Sequence, residues 1–182
     1  NTKYCLKLDI SKFYPNVNHN ILKLLIRKKF KDRELLCLLD EIIDSAPGLP
    51  IGNYLSQFLA NFYLTYFDHW IKEELKVKYY FRYCDDLVIL SSNKKELHEF
   101  RIKIQEYLKT NLDLKIKSNY QVFPINDRGL DFLGYKSYHD YILLRKSIKL
   151  RFIKMIKYNY NNKSIASYNG WLSWSNSKNL KN

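Results

Sequence analysis

The chain has 182 residues, of which 46% are hydrophobic, and 31 Lys and Arg against 18 Asp and Glu give a net charge of +13. This length suits one domain with a real core, either alone or with a small appendage. No apolar run approaches a membrane span and no segment resembles a signal peptide, so we expect a cytoplasmic protein that does not enter a membrane. The three Cys and four His residues lack the spacing of a disulfide framework or a zinc site.

The positive charge favours a polyanionic partner, above all nucleic acid. From Arg145 to Asn182 the chain contains no Asp or Glu, and it combines basic residues with Tyr and Trp. A phosphate backbone explains this mixture better than solubility does. The sequence begins without Met, directly before a predicted strand, and we therefore expect it to be a piece of a longer protein.

The N-terminal half predicts one strand followed by helices. Apolar and polar residues alternate from Tyr4 to Ile10, which indicates a half-buried strand that ends on Asp9. Helices are expected to begin near Asn18 or Asn20 and at Asp32, and residues 47–52 form a loop rich in helix breakers. The longest helical pattern runs over residues 53–75 and has a wide apolar face.

Residues 80–90 (YFRYCDDLVIL) predict two short strands joined by a tight turn at Cys84 and Asp85. Two adjacent carboxylates at a turn repel each other, so this pair favours a bound cation. Carboxylate oxygens are ligands that suit Mg²⁺. Taken alone, an Asp-Asp pair is more often an ordinary surface turn, and the metal interpretation needs further ligands elsewhere in the chain.

The C-terminal half predicts an amphipathic helix at residues 94–108, short strands at 114–116, 120–123 and 141–144, and helices at 147–158 and 164–172. This order matches an α+β fold of the ferredoxin-like split βαβ type, an antiparallel sheet with helices on one face. In that layout the first strand lies beside the central hairpin, so Asp9 can approach Asp85 and Asp86. Three carboxylates at one place predict a two-metal site for phosphoryl transfer.

Four motifs make the chain similar to the palm domain of reverse transcriptases. Residues 9–15 (DISKFYP) resemble the first catalytic motif of that family, residues 48–57 (GLPIGNYLSQ) the second, residues 83–86 (YCDD) the third, and residues 130–135 (LDFLGY) the primer grip. The resemblance implies an RNA-directed DNA polymerase whose palm occupies residues 1–144 and whose short helical thumb begins at residue 145 and continues to residue 182. The fingers region that normally precedes the palm is missing, so the isolated chain is expected to be weakly active or inactive.

The resemblance also implies roles for individual residues. Asp9, Asp85 and Asp86 would be catalytic and would hold two Mg²⁺ ions, with Mn²⁺ as a substitute and the Ile10 carbonyl as a further ligand. Tyr14 would lie under the nucleotide sugar and exclude a 2′-OH. Further nucleotide-binding positions would be Phe13, Ile51, Gly52, Ser56 and Gln57. The primer grip would consist of Phe132, Leu133, Gly134 and Tyr135, and the thumb would contact nucleic acid through Lys146, Lys149, Lys154 and Lys157.

Two positions favour a subtype within this family. Most reverse transcriptases carry Gln where this chain has Ile51 and Pro where it has Gln57. The pattern resembles the enzymes of diversity-generating retroelements, which misincorporate opposite template adenines. An Ile cannot make the hydrogen bonds that a Gln offers to the nucleotide, and this loss relaxes the checking of the nascent base pair. The implied partners are a template RNA, a cDNA primer and product, dNTPs and a basic accessory protein.

Other assignments stay open from the sequence. The chain also fits another bacterial reverse transcriptase, from a group II intron, a retron or a defence system, or a non-catalytic palm-shaped module that binds nucleic acid. The acidic cluster speaks against the module, because a binding surface gains nothing from repelling carboxylates. The family usually places a Lys near Asn119 or Tyr120 to protonate pyrophosphate; Lys115 and Lys117 are out of register, so that role is left unassigned.

Overall fold

The computed structural model describes residues 2–50, 52–158 and 162–176, and the chain forms two compact units, Asn1–Val122 and Phe123–Asn182. The first unit contains strands β1 (Tyr4–Asp9), β2 (Tyr79–Tyr83) and β3 (Asp86–Ser91) and helices α1 (His19–Lys29), α2 (Arg33–Asp44), α3 (Tyr54–Tyr63), α4 (Thr65–Glu73) and α5 (Lys94–Leu112). Strand β4 (Gln121–Pro124) spans the boundary, followed by α6 (Ile125–Arg128), β5 (Leu130–Phe132), β6 (Tyr135–Ser137), β7 (Ile142–Leu144), α7 (Lys146–Tyr158) and α8 (Asn162–Ser173). None of the helices in these ranges is long and apolar enough to cross a membrane.

Two antiparallel sheets organise the strands. The larger sheet has the order β2-β3-β1-β4, and the smaller one has the order β5-β6-β7. Strand β3 pairs antiparallel with both β1 and β2, which places the first strand of the chain directly beside the central hairpin. The predicted α+β fold with an antiparallel sheet is confirmed.

The main core forms because β1 has a two-residue period. Leu6, Leu8 and Ile10 are at most 2% exposed and contribute to the largest apolar cluster. Helix α5 packs against β1 and β3 through buried residues such as Ile104. Because successive side chains point to opposite faces of a strand, Asp9 lies on the other face from Leu8 and Ile10. The same alternation that builds the core therefore keeps this carboxylate out of it.

Two predicted elements differ from the structure. The helical pattern of residues 53–75 forms two helices, because the amide of Leu64 bonds to the Asn61 carbonyl, three residues back, and its ψ of 1° ends α3. The predicted strand at residues 114–116 is not a strand: Ile116 makes a single bridge to Ile10. The chain is instead turning there, since α5 runs on to Leu112 and closes with a left-handed residue at Asp113.

A tight contact between two loops fixes the backbone at Tyr14. The Leu49 amide donates to the Tyr14 carbonyl at 2.8 Å, and His19 Nε2 donates to the Gly48 carbonyl at 2.8 Å. Gly48 has φ +65°, and a Cβ at this position would lie 2.4 Å from the Tyr14 carbonyl oxygen and 2.6 Å from that of Pro15. Only glycine fits this position, and it brings the loop of the second sequence motif onto the residues that follow β1.

We expect Gly48→Ala to lower the free energy of unfolding by about 2–4 kcal/mol, because it combines left-handed strain with a collision against rigid backbone. Gly170→Ala is the matched control. Gly170 is helical and has open space around its Cβ position, so the substitution should raise stability by about 0.5–1 kcal/mol. Urea denaturation of both variants measures the difference, and equal effects would contradict the proposed role of Gly48.

Candidate active site

The twin carboxylates lie at the tip of the central hairpin. Tyr83 and Asp86 are paired across a two-residue turn formed by Cys84 and Asp85, as predicted. Cys84 has φ +51°, the left-handed conformation that such short hairpin turns require. The Ile10 amide donates to the Asp85 carbonyl at 3.1 Å, so the turn is tied to the residue that follows β1.

Strand pairing brings the third carboxylate to this tip. Asp9 is the direct partner of Asp86 in the register between β1 and β3. Directly opposed residues of an antiparallel pair project on the same side of the sheet. Asp9 and Asp86 accordingly line a small cavity of about 170 Å³ together with Lys7 and Asn119. The predicted proximity of Asp9 to the acidic turn is therefore present in the backbone.

Lys117, which the sequence left without a role because it is out of register with the family motif, lies at the site. Its ammonium is 2.6 Å from Asp9 Oδ1, and its amide donates to the Asp9 carbonyl at 2.8 Å. The close contact with the carboxylate raises the pKa of Lys117. The backbone bonds at Ser11 and Lys117 hold residues 115–117 against the end of β1, and this tertiary contact is what the spacing of the sequence could not show.

The donor set at the tip fits a hard divalent cation. Its three aspartates offer carboxylate oxygens, and Asp9 Oδ1 is shielded from solvent, with the Lys117 ammonium as its partner among the residues that the structure describes. A cationic group, the Lys117 ammonium, lies where a counter-charge is needed. The side chains do not form a ready cage, since the described ranges contain no group of three His, Cys, Asp or Glu side chains arranged to hold a metal.

Burial and the neighbouring carboxylates together disfavour the charged form of Asp85. Burial raises the pKa of Asp85, a backbone hydrogen bond opposes the shift, and the negative charges of Asp9 and Asp86 raise it further. For a carboxyl group, a raised pKa means that ionisation near neutral pH is less favourable in the folded chain than in the unfolded one. The cluster is thus a local cost to stability, of the kind that a functional site retains.

A larger pocket of about 480 Å³ lies among the residues of the first two sequence motifs. It is lined by Tyr14, Gly52, Asn53, Tyr54 and Gln57. Burial raises the pKa of the Tyr14 hydroxyl, and the neighbouring Cys84 thiol and Asp85 carboxylate contribute to the shift. Tyr14 therefore lies between this pocket and the acidic turn.

Two predicted nucleotide-binding residues do not face the pocket. Phe13 is 2% exposed and Ser56 is 3% exposed, so both side chains are buried in the protein interior, and a role for them in nucleotide binding stays a prediction. The ring of Phe13 instead supports Tyr14, with the two ring centroids 5.6 Å apart. The predicted residue Ile51 lies outside the residues that the structure describes.

An inward-facing charge network supports the turn from the core side. Arg82 donates to both carboxylate oxygens of Asp68, at 2.8 and 2.5 Å, and to the Cys84 carbonyl at 3.0 Å. The Tyr80 hydroxyl donates to Asp68 at 2.7 Å. The alternation of side chains along β2 could have predicted this network from the sequence. Arg82 lies on the opposite face of the strand from the exposed rings of Phe81 and Tyr83, and a charged side chain on the inward face needs a partner of opposite charge.

The remaining predicted residues lie in the second unit. Phe132 and Tyr135 are paired across the turn between β5 and β6, and the turn residues Leu133 and Gly134 have φ values of +49° and +83°. The side chain of Leu133 is 47% exposed. All four predicted thumb lysines project from α7 with exposed side chains: Lys146, Lys149, Lys154 and Lys157.

Comparisons with known proteins bear on about three quarters of the chain. The family model described as "Reverse transcriptase (RNA-dependent DNA polymerase)" matches residues 1–137. Protein YkfC of Escherichia coli is 22% identical over 177 residues, which cover 74% of this chain and 46% of that protein. The putative COX1/OXI3 intron 2 protein of Saccharomyces cerevisiae is 20% identical over 203 residues, 73% of this chain and 24% of that protein. The chain therefore spans less than half the length of these curated relatives.

Solved structures show the same fold. The apo telomerase from Candida tropicalis superposes with a TM-score of 0.59 at 15% identity, covering 75% of this chain and 31% of that one. The telomerase from Candida albicans, in complex with a fragment of telomeric RNA, has a TM-score of 0.59 at 9% identity, covering 84% and 34%. The family match, which covers most of the chain and includes β1, the acidic hairpin and the β5–β6 turn, shows that this protein belongs to the reverse transcriptase family.

Proposed function

We propose that this chain is the catalytic palm of an RNA-directed DNA polymerase, with residues 1–144 as the palm and residues 145–182 as part of the thumb. The observation that carries the proposal is the pairing of Asp9 with Asp86, which brings a lone carboxylate to the twin acids of the turn. A module that only binds nucleic acid has no need for this arrangement, because the three charges repel one another and burial already raises the pKa of Asp85.

Asp9, Asp85 and Asp86 would hold two Mg²⁺ ions, or Mn²⁺ in their place, with the Ile10 carbonyl as a further oxygen ligand. When bound, the ions would lower the pKa of the attacking primer hydroxyl and offset charge on the phosphate. The protein residues position these carboxylates: Arg82 holds the Cys84 carbonyl, and the Ile10 amide holds that of Asp85. Lys117 balances Asp9 and supplies a cation beside the site that can approach the pyrophosphate leaving group.

The pocket beside Tyr14 would receive the incoming dNTP. Gly52 leaves open space for close approach of the nucleotide, while Gln57 and Asn53 offer polar groups along the wall. Tyr14 would exclude the 2′-OH of a ribonucleotide by shape. In the second unit, the turn at Leu133 and Gly134 would hold the primer strand, and the exposed lysines of α7 would contact the phosphates of the RNA–DNA hybrid.

The template is proposed to be RNA, and the primer and product DNA. The basic, acid-free C-terminal stretch and the palm fold shared with an RNA-bound telomerase support this assignment. Ile51 and Gln57 favour the diversity-generating type of reverse transcriptase, with a basic accessory protein as a further partner. The likeness to a yeast intron protein favours an intron-type reverse transcriptase as the second candidate.

The first test is primer extension on an RNA template by the protein that carries this chain. Asp85→Asn should lower the rate by at least about 10²-fold, since it removes a metal ligand.

The same substitution should raise the free energy of unfolding by roughly 0.5–1 kcal/mol after allowing for solvent screening, because it removes a repelled, partly buried charge. Asp127→Asn, at an exposed position on α6, is the matched control and should change neither quantity. Full activity of Asp85→Asn would refute the metal assignment.

Sugar selection tests the role of Tyr14. Tyr14→Ala should reduce the preference for dNTPs over NTPs by about 10–100-fold, because the ring no longer occupies the space of a 2′-OH. Tyr14→Phe keeps the ring and should keep the preference. Steady-state kcat/KM for each nucleotide measures the ratio; an unchanged ratio in Tyr14→Ala would show that another group excludes the ribonucleotide.

The subtype can be tested by sequencing cDNA. We expect Ile51→Gln to reduce misincorporation opposite template adenines at least several-fold, because the restored amide can again hydrogen-bond around the nascent pair. Ile102→Gln makes the same chemical change at an exposed position on α5 and should leave the error spectrum unchanged. Equal adenine error rates in wild type and Ile51→Gln would favour the intron-type candidate.

A further inference from the structure

Trp171 of α8 packs directly on the turn between β5 and β6. A Cβ added to Gly134 would lie 2.4 Å from Trp171 Cζ3 and 2.8 Å from Cη2, so the indole lies against the backbone of the turn. The rings of Trp171 and Tyr135 have centroids 5.3 Å apart, and the Tyr135 hydroxyl donates to the Trp171 carbonyl at 3.1 Å. Both the side chain and the backbone of Trp171 thus contact residues of the turn.

The start of α7 holds the same turn from another direction. The Arg145 amide donates to the Gly134 carbonyl at 2.9 Å, and its guanidinium pairs with Asp131 on β5, with Nε 2.7 Å from Oδ1. Between these contacts the turn keeps Leu133 in the left-handed conformation, which is unfavourable for a residue with a Cβ. The result is a rigid turn with one exposed apolar side chain, Leu133, at its tip.

We propose that Trp171 is a positioning residue for the primer strand. By filling the space above Gly134 it fixes where Leu133 meets the primer, and it thereby sets the position of the primer 3′ end without touching it. This inference rests on the proposed polymerase function and on the assignment of this turn to the primer. Trp174, three residues further along, is 76% exposed and provides a natural comparison.

A double-mutant cycle tests the contact without any activity measurement. Gly134→Ala should lower the urea midpoint strongly in the wild-type background, because the new methyl group collides with the indole. In the Trp171→Ala background the collision with the indole is gone, and only the contact with Ile148 Cδ1 at 2.9 Å and the positive φ of Gly134 remain, so the same substitution should shift the midpoint by clearly less. Equal shifts in the two backgrounds would show that Trp171 does not determine the space at Gly134 and would overturn the inference.

Pre-steady-state burst kinetics, with primer–template in excess over enzyme, test the effect on the primer. Trp171→Ala should lower the rate of nucleotide addition per active site by about 10²-fold, because a small displacement of the reacting hydroxyl is enough for such a loss. Trp171→Phe retains a ring above Gly134 and should recover most of the rate, and Trp174→Ala should match wild type. A role in stability alone would lower the fraction of active enzyme, read from the burst amplitude, and leave the rate per active site unchanged.

The possible failures can be told apart. If Trp171→Ala reduces only the burst amplitude, Trp171 is a structural residue and the inference is wrong while the polymerase assignment stands. If the double-mutant cycle shows coupling but the rate per active site does not change, the turn does not position the primer, and the inference is again wrong. If wild type and Asp85→Asn extend the primer equally, the proposed metal site itself has failed.

Discussion

The antiparallel pairing of β1 with β3 is the constraint on which the site depends. On the core side of the sheet, Leu6 lies opposite Ile89 and Leu8 opposite Leu87, and all four side chains are buried. A slip of one residue would carry this apolar set to the other face, so the core strongly favours a single register. That register places Asp9 opposite Asp86. The hydrophobic effect therefore stabilises a register that places two carboxylates opposite each other, although their own electrostatics disfavours this proximity.

The local charge balance follows from this forced proximity. Burial raises the pKa of Asp85, and the adjacent negative charges raise it further. Lys117 partly compensates at Asp9, while the guanidinium of Arg82 is directed to Asp68 and to the backbone of the turn and so does not neutralise Asp85 or Asp86. Such an arrangement retains negative charge for a cation to neutralise. Because the carboxylates repel one another, the turn needs support from the core side, where Arg82, Asp68 and Tyr80 form a connected network.

Much of this arrangement could be predicted from the sequence, because it follows from short periodic signals. The alternation of β1, the acidic turn and the caps at Asn18 and Asp32 all form as expected, since each depends on neighbouring residues. The break at Leu64 was missed because the apolar pattern continues through it, and the change is in backbone conformation alone. The same limit applies to Phe13 and Ser56: the motif identifies the segment, but only packing decides which side chains face a ligand.

Lys117 and Trp171 illustrate what sequence patterns leave out. Lys117 reaches Asp9 only because residues 115–117 bond to the end of β1, more than 100 positions away in the chain. Trp171 reaches Gly134 because α8 folds back on the β5–β6 turn. The glycine in the sequence does not reveal this contact, which becomes evident only when a Cβ atom is placed on Gly134 in the structure. In both cases the residue type was visible in the sequence, but its partner was set by tertiary structure.

The central claim is that Asp9, Asp85 and Asp86 act as one cation site, and Mn²⁺ binding measured by electron paramagnetic resonance tests it most directly. Titrations of wild type, Asp9→Asn and Asp85→Asn compare two positions that are distant in sequence and adjacent in the sheet. The account predicts that each substitution weakens Mn²⁺ binding by about tenfold or more. Wild-type affinity in Asp9→Asn, together with a loss in Asp85→Asn, would mean that the turn binds the ion without β1 and would contradict it.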